Sequence, residues 1–161
     1  MTHLTPPHAD AFRAAMRGFL GHVSLVTVGN GATGLIVTSA ASLSAEPPLI
    51  LVCVNRLSSS WPLLAAEGRF GWSALGAAHQ PVAERFSGRT GVSGAARYEG
   101  ADWETVLGTK LLIGAPLAFA CTVEDMIDKG THSIVIGQVQ AIRTTASAGV
   151  LSYVNGGYHP S

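Results

Sequence analysis

Residues 117–143 read LAFACTVEDMIDKGTHSIVIGQVQAIR, two long runs of apolar and β-branched residues with a short polar break between them. Such runs favour extended backbone, so we expect strands over residues 117–127 and 132–143. Asp128, Lys129 and Gly130 are turn formers that connect the two runs. Because a tight turn joins antiparallel neighbours, this stretch predicts a long hairpin around which the fold is organised.

Shorter runs of the same kind lie on both sides of the hairpin. They predict strands over residues 23–28, 35–43, 49–54, 69–75 and 151–154. These strands mostly follow one another through turns rather than through regular helical crossovers. The expected fold class is therefore mainly β, an antiparallel barrel, and a parallel α/β sheet is disfavoured.

Three short helices are expected around this sheet. Apolar spacing predicts one over residues 9–20, and a serine run followed by Trp61-Pro62 predicts a second that ends near Gly68. A third is expected from His79 to Phe86. The polar, glycine-rich residues 87–110 are expected to form a long loop with a small helical piece at 103–107.

The length of 161 residues predicts a single domain spanning residues 1–161, with about eight flexible residues at its start. Only 12% of the residues are charged, against about 25% in an average domain, and the 10 basic residues equal the 10 acidic ones. A nucleic-acid partner needs a basic surface, so none is expected. With so few charged residues, it is open which residues cover the surface of the protein.

Location is predicted from the apolar runs and the cysteines. The densest apolar run, residues 49–54, is far shorter than the roughly 20 residues of a membrane span, so no membrane association is expected. The first residues show no signal-peptide pattern. Cys53 and Cys121 lie in strand-like runs without metal-ligand or redox spacing and are read as two buried thiols. A cytoplasmic protein is the resulting prediction.

Several sequence motifs are weaker than they look. Residues 29–34, GNGATG, match the G-x-G-x-x-G pattern of dinucleotide-binding folds, but a β-rich run follows them instead of a helix. A hairpin turn is the better interpretation. The cysteines and histidines do not cluster, so no metal site is expected. No G-x-S-x-G motif of a serine hydrolase occurs.

Three clusters leave a structural and a functional interpretation open. Residues 38–44 place hydroxyl groups along a strand, either on its outer face or as a wall for a flat or phosphorylated ligand. Residues 55–61 open a helix, either as simple capping or as an anion site. Residues 130–132 place His132 directly before a strand, as a turn residue or as a functional histidine.

Taken together and in order, six segments resemble the short-chain flavin reductase family, on the FMN-binding split-barrel fold. They are residues 12–17, residues 34–39 with Pro47-Pro48, residues 51–55, residues 85–89, residues 130–132, and Tyr153 with residues 157–159. The chain is similar to the reductase component of 4-hydroxyphenylacetate 3-monooxygenase and to corrin reductases. The resemblance covers about residues 10–160 and implies a split β-barrel with short flanking helices.

The resemblance also implies a set of site residues. Residues 37–40 and Asn55 would meet the isoalloxazine ring, Arg85 would pair the phosphate, His132 would orient the nicotinamide as the catalytic residue, and Tyr158 would cover the stack. The implied cofactor-binding set is Val37, Thr38, Ser39, Ala40, Ser44, Asn55, Ser59, Ser60, Trp61, Arg85, Phe86, Ser87, His132 and Tyr158. No metal ligand belongs to it.

The implied activity is hydride transfer from NADH or NADPH to FMN or FAD, which would supply reduced flavin to a partner monooxygenase. The implied assembly is a homodimer whose broad apolar interface would account for the missing charges. A flavin-dependent cobalt(II) corrin reductase and a non-enzymatic flavin-binding protein are the alternatives. Ile36, Thr131 and the missing basic residue near Gly156 depart from the family pattern and leave the flavin and nicotinamide preferences open.

Overall fold

The computed structural model describes residues 4–146 and 149–161, and the described part of the chain contains twelve strands, three α-helices and two 3₁₀ helices. In chain order the elements are α1 (Ala9–Met16), β1 (Gly21–His22), β2 (Ser24–Val28), β3 (Thr33–Val37), β4 (Ala41–Ser44), β5 (Leu49–Asn55), α2 (Trp61–Glu67), β6 (Arg69–Ala74), a 3₁₀ helix (Ala77–His79), α3 (Gln80–Phe86), a second 3₁₀ helix (Gly94–Tyr98), β7 (Trp103–Val106), β8 (Thr109–Leu112), β9 (Leu117–Lys129), β10 (His132–Thr144), β11 (Leu151–Val154) and β12 (Gly157–Pro160).

The main sheet has seven antiparallel strands in the order β3-β2-β6-β9-β10-β5-β4. The predicted hairpin, β9 with β10, lies in its middle and carries two register shifts, one of them beside Gly137. A Cβ atom at Gly137 would lie 2.5 Å from the Phe70 ring, so the strands approach closely there. Bulges of this kind bend a sheet, which helps it to curl.

The connection between β3 and β4 closes the sheet into a barrel. These strands are the two outer strands of the sheet order, yet only residues 38–40 separate them in the chain. A link of three residues spans about 10 Å, so the two edges must lie close together. Val37 of β3 and Val54 of β5 accordingly share one core cluster with Phe70. The result is an antiparallel barrel split between its edge strands β3 and β4, and the predicted fold class is confirmed.

A second core cluster lies on the outer side of the same sheet. Leu25 of β2 packs there with Val82 and Phe86 of α3 and with Leu111 of β8, whereas its neighbour Val26 belongs to the first cluster. Because successive strand residues point to opposite faces, β2 is buried along its whole length. The sheet β1-β11-β12 and the hairpin β7-β8 cover this side.

The structure corrects four of the predicted element boundaries. The strand expected at 35–43 is interrupted at residues 38–40, where the chain crosses the split. Residues 103–107 are not helical: β7 pairs with β8 through a turn in which Leu107 and Gly108 both have positive φ, the geometry of a tight hairpin. Helix α1 stops at Met16 rather than at residue 20, and β12 is an additional strand that pairs with β11.

Candidate functional site

A cavity of about 500 Å³ opens at the split of the barrel, beside the link between β3 and β4. Five segments form its walls: the end of β3, the turn after β5, the end of α3 with the residues after it, the second 3₁₀ helix, and the hairpin of β11 and β12. Its lining residues are Leu35, Ile36, Val37, Thr38, Asn55, Leu57, Ser58, Ser59, Phe86, Ser87, Gly88, Arg89, Arg97, Tyr153 and Tyr158. Ligand pockets commonly have volumes of about 300–1,000 Å³, so the cavity suits a small molecule.

The turn after β5 is ordered by its own polar side chains. Asn55 Oδ1 accepts a hydrogen bond from the Leu57 amide at 2.9 Å, and Ser58 Oγ accepts one from the Ser60 amide at 3.2 Å. These bonds hold the acceptor end of the Asn55 amide and leave its Nδ2 group as the donor for a ligand. Ser58 and Ser59 present hydroxyl groups along the same wall.

Two arginines, Arg89 and Arg97, line the cavity, and a third, Arg85, bonds the loop that carries Arg97. Arg85 donates to the carbonyl oxygens of Ala96 and Arg97 and lies near Glu99, so its guanidinium group holds the loop after α3 together. Arg97 donates to the carbonyl oxygens of Val92 and Gly34. Among the described residues, the Arg89 guanidinium group donates to a neutral group, the Tyr153 hydroxyl at 2.7 Å. Its exposed guanidinium therefore suits an anionic ligand group better than that of Arg85 does.

Two aromatic side chains of the β11–β12 hairpin line the cavity. The Tyr153 and Tyr158 rings contact each other edge to face with centroids 5.3 Å apart, and the Arg89 guanidinium lies 5.7 Å from the Tyr153 centroid. Burial raises the pKa of the Tyr158 hydroxyl, which keeps it protonated and able to donate a hydrogen bond. The Tyr153 bond raises the pKa of Arg89.

The structure brings half of the predicted cofactor-binding residues together at this cavity. Those that line it are Val37, Thr38, Asn55, Ser59, Phe86, Ser87 and Tyr158. Ser87 also orders the wall, because its hydroxyl donates to the Glu84 carbonyl and accepts from the Arg89 amide. The local fold thus explains how a short polar segment after α3 is held against the cavity.

Three more of the predicted residues are occupied in holding the barrel together. Ser39 Oγ bonds both the amide and the carbonyl of Cys53, where it continues the pairing of β4 with β5 as a side chain. Ser60 is buried, and its hydroxyl bonds the Thr33 hydroxyl at 2.8 Å. Trp61 Nε1 donates to Ser133 Oγ at 2.8 Å. Arg85, described above, is the fourth such residue.

The remaining predicted residues lie elsewhere. Ala40 lines a separate cavity with Trp72 and Phe119, and Ser44 lies at the end of the edge strand β4, outside the main cavity. His132 begins β10 and is exposed; it is the ladder partner of Asn55, which lines the main cavity. Directly opposed residues have Cβ atoms about 5 Å apart, which puts His132 at the margin of the cavity.

Several lining residues were not predicted from the sequence. Ser58 belongs to the serine run, and Arg89 to the segment 85–89, that the analysis had already singled out, so nearby signals existed. Leu35 and Ile36 belong to residues 34–39, one of the segments that carry the family resemblance, but neither was named as a site residue. Arg97 lies in the glycine-rich loop whose path could not be predicted, and it reaches the cavity only because the loop folds back onto β3.

None of the helices in the described part of the chain is long and apolar enough to cross a membrane.

Comparisons with known proteins show what this site is similar to. The family profile described as "Flavin reductase like domain" matches residues 16–161. A protein from Methylorubrum extorquens named FMN reductase (NADH) RutF 2 is 39% identical over 153 residues, which cover 93% of this chain and 88% of that protein.

Two solved structures have the same fold. The NADH:FAD oxidoreductase SgcE6 from Streptomyces globisporus C-1027 superposes with a TM-score of 0.88 at 25% identity, covering 100% of this chain and 98% of that one. BorF, the flavin reductase component of a bacterial two-component tryptophan halogenase, gives 0.86 at 29% identity and covers 96% and 99%.

Proposed function

The chain belongs to the flavin reductase-like domain family, and from that premise we propose that it is an NADH-dependent flavin reductase. The observation that carries the proposal is the cavity at the barrel split. It combines aromatic side chains, hydroxyl groups, a side-chain amide and an available arginine in one open space. The relatives named above act on FMN or FAD with NADH, which supports the same pair of reactants for this chain.

The residues present fit a flavin. The strand residues Leu35–Val37 and Thr38 offer an extended wall with backbone groups, and Tyr158 adds an aromatic ring to the lining of the cavity. Asn55 supplies an amide for the polar edge of the isoalloxazine ring, and Ser58 and Ser59 supply hydroxyls for the ribityl chain. Arg89 supplies the cation for a phosphate, a role that the sequence analysis gave to Arg85.

The chemistry belongs to the reactants: a reduced nicotinamide supplies a hydride, a flavin takes it up together with a solvent proton, and oxidised nicotinamide is left. The protein holds two planar rings against each other and limits the access of water. We propose that His132, which is the ladder partner of Asn55 at the margin of the cavity, orients the nicotinamide rather than the flavin. No protein nucleophile is needed for this reaction.

The deciding experiment mixes the purified protein with NADH and FMN, and in parallel with FAD, and follows the loss of nicotinamide absorbance. We expect NADH oxidation that depends on both flavin and protein. Flavin binding without NADH oxidation would replace the proposal with a non-enzymatic flavin-binding protein. NADH oxidation that starts only after a cobalt(II) corrinoid is added would identify the corrin reductase alternative. The same assay with NADPH measures the nicotinamide preference.

We further propose that the reduced flavin serves a separate oxygenating or halogenating enzyme. The support is the kind of system in which a relative acts, since BorF is the reductase component of a two-component halogenase. The cavity is open to solvent on one side, which suits a flavin that enters and leaves during turnover. A flavin whose dissociation is faster than turnover would support this role, and one retained through purification would contradict it.

The homodimer implied by the family resemblance also remains a proposal. No residue of α1, all of which the structure describes, is buried, although the helix carries Phe12 and Met16. Phe19 and Leu20 after it are 69% and 61% exposed. A second cavity between α1 and the barrel shares Thr38 and Tyr153 with the main cavity. A second copy covering α1 would therefore border the flavin site.

The cysteines support the proposed cytoplasmic location. Cys53 and Cys121 are both free, and burial raises the pKa of the Cys121 thiol to about 12, so it stays an unreactive thiol. Unpaired cysteines suit a reducing compartment. Fractionation of the native cell would check the location.

A further inference from the structure

The turn between β9 and β10 is fastened to the wall of the cavity by a chain of polar side chains. Trp61 Nε1 donates to Ser133 Oγ at 2.8 Å, and Ser133 Oγ donates to Asp128 Oδ1 at 2.5 Å. The other carboxylate oxygen, Asp128 Oδ2, accepts from Arg56 Nη1 at 3.3 Å. Arg56 also reaches the turn itself, since its Nη2 donates to the Gly130 carbonyl at 2.7 Å.

These hydrogen bonds join three different elements of the fold. Trp61 begins α2, Arg56 follows β5, and Asp128 and Ser133 lie on the two arms of the β9–β10 hairpin. The Arg56 amide adds a backbone bond to the Thr131 carbonyl at 3.0 Å. Asn55 and Leu57, which flank Arg56, line the main cavity. The turn is therefore tied to the same stretch of chain that forms the cavity wall.

The tip of the hairpin needs such a tie. The pairing of β9 with β6 stops at Thr122, so within the described residues the outer part of β9 pairs with β10 alone. Asp128, Gly130 and Thr131 are all exposed. Strand ends of this kind open easily, because few buried contacts hold them. Side-chain bonds from Arg56 and Ser133 supply the missing restraint.

Ser133 is the buried centre of the arrangement. It is fully buried, and its single hydroxyl both accepts from Trp61 and donates to Asp128. A buried hydroxyl without an acceptor is unfavourable, so the bond to Asp128 fixes the position of this part of β10. His132 is the preceding residue. Its Nδ1 lies 2.8 Å from the Thr131 hydroxyl, so its ring orientation depends on the conformation of the turn.

We propose that Asp128, acting through Ser133 and Arg56, is a positioning residue that holds His132 at the margin of the cavity for nicotinamide binding. The inference rests on the proposed function, because the position of His132 matters for turnover only if a nicotinamide binds beside Asn55. Asp128 itself lies on the far arm of the hairpin and does not line the cavity. Its effect should therefore fall on NADH and spare the flavin.

The test compares Asp128→Ala and Asp128→Asn with Asp125→Ala, which removes an exposed carboxylate of the same strand that bonds only its neighbouring amide, that of Met126. We expect Asp128→Ala to raise the KM for NADH about fivefold and to change the Kd for FMN less than about twofold. Asp128→Asn keeps an acceptor for Ser133 and should restore part of the KM. Asp125→Ala should leave both constants unchanged.

A double-mutant cycle shows whether Asp128 acts through the histidine. If it does, Asp128→Ala in a His132→Ala background should change the KM for NADH less than about 1.5-fold. An independent effect of equal size in both backgrounds would overturn the proposal. So would an unchanged KM in the Asp128→Ala variant of an enzyme that is otherwise active.

Hydrogen exchange separates a failure of this inference from a failure of the proposed function. Asp128→Ala should speed exchange at the Arg56 amide and the Trp61 indole, whether or not the protein oxidises NADH. Unchanged exchange at both sites would refute the tie between turn and wall. Faster exchange in a protein that lacks NADH oxidation would leave the tie standing but overturn both the proposed function and the positioning role.

Discussion

Arg85 and Arg89 lie four positions apart, yet their guanidinium groups have different hydrogen-bond partners and different roles. Arg85 is bound to two backbone carbonyl oxygens of the loop after α3, whereas Arg89 is exposed at the cavity and bonds the Tyr153 hydroxyl. A cation that already serves carbonyl groups has fewer donors for a phosphate. Sequence spacing alone does not separate the two, because both belong to the same motif.

Arg89→Ala is expected to weaken FMN binding about tenfold, or about 1.4 kcal/mol, because an exposed charge-assisted bond is lost. Riboflavin, which lacks the phosphate, should bind the variant as well as it binds the unmodified protein. Arg85→Ala should lower the free energy of unfolding instead. Fluorescence titration with both flavins measures the first effect and urea denaturation the second. Equal weakening of FMN and riboflavin would remove Arg89 as the phosphate partner.

His132→Ala should raise the KM for NADH far more than that for FMN, because His132 lies beside Asn55 at the margin of the cavity and not among its lining residues. Loss of one orienting contact corresponds to about a tenfold change. Steady-state kinetics with each substrate varied in turn measures both constants. His159→Ala, at an exposed histidine of β12, is the matched control. Equal effects on the two substrates would contradict the assignment.

At the scale of elements, β3 lies so close to its neighbours that a side chain cannot be added at one position. A Cβ atom at Gly34 would lie 2.7 Å from the Val26 carbonyl oxygen and 2.8 Å from the Phe86 ring. Phe86 lines the cavity, so this contact joins α3 to the wall formed by β3. A glycine in a strand is here required by close packing and not by a turn.

Gly34→Ala is therefore expected to lower the free energy of unfolding by about 2–3 kcal/mol, the cost of overpacking a tight core. Gly157→Ala in β12 is the control, because the nearest atom to its added Cβ would be His159 Nε2 at 3.7 Å. Chemical denaturation of both variants measures the difference. Similar stabilities for the two variants would show that β3 can move away from Phe86 without loss.

The junction between the first 3₁₀ helix and α3 is expected to make stability depend on pH. Burial lowers the pKa of His79 below its ordinary value of 6.5, and its Nδ1 accepts a bond from the Gly76 amide that protonation would break. The unfolded chain then binds the proton more readily than the folded one. Stability is complete above about pH 6.5 and falls as the pH decreases from there through the lowered pKa.

His79→Asn, which keeps an acceptor but does not titrate, should reduce the loss of stability between about pH 7.5 and about pH 5.5. Urea denaturation at both pH values measures it, with the same substitution at exposed His159 as the control. A loss in His79→Asn as large as in the unmodified protein would place the pH dependence elsewhere.

Prediction from sequence succeeded where periodic patterns were long and failed where pairing was remote. The β9–β10 hairpin was predicted to within two residues at its ends, because its β-branched runs leave little choice of conformation. Residues 103–106 were predicted as helical, but pairing with β8 makes them a strand. Likewise, Ser39 and Ser60 have the residue types of a phosphate site, yet their hydroxyls bond Cys53 and Thr33 inside the fold.

At the scale of the whole molecule, the exposed apolar residues lie unevenly. Phe12 is 66% and Phe19 69% exposed, both on or next to α1, where a second cavity adjoins the main one. A surface of this kind suits an interface between copies better than contact with water. An interface at this surface would account for part of the low fraction of charged residues.

Light scattering after size exclusion should therefore give twice the 16.6 kDa mass of one chain. Changing Phe12 and Phe19 together to Ser should shift the protein toward the monomer and weaken flavin binding, because the second cavity borders Thr38 and Tyr153. Leu107→Ser, at an equally exposed apolar residue of the β7–β8 turn, should change neither property. An unmodified protein with the 16.6 kDa mass of a monomer would contradict the dimer.

The sequence by itself determined the antiparallel β class, the central hairpin, the family resemblance and the segments from which the cavity is made, because these depend on local pattern. Tertiary structure decided which side chains of those segments reach the cavity. Whether a serine or an arginine faces a ligand or a neighbouring strand depends on how the edges β3 and β4 are drawn together by a three-residue link. That closure depends on residues that are distant in the chain, so it cannot be predicted from a local sequence pattern.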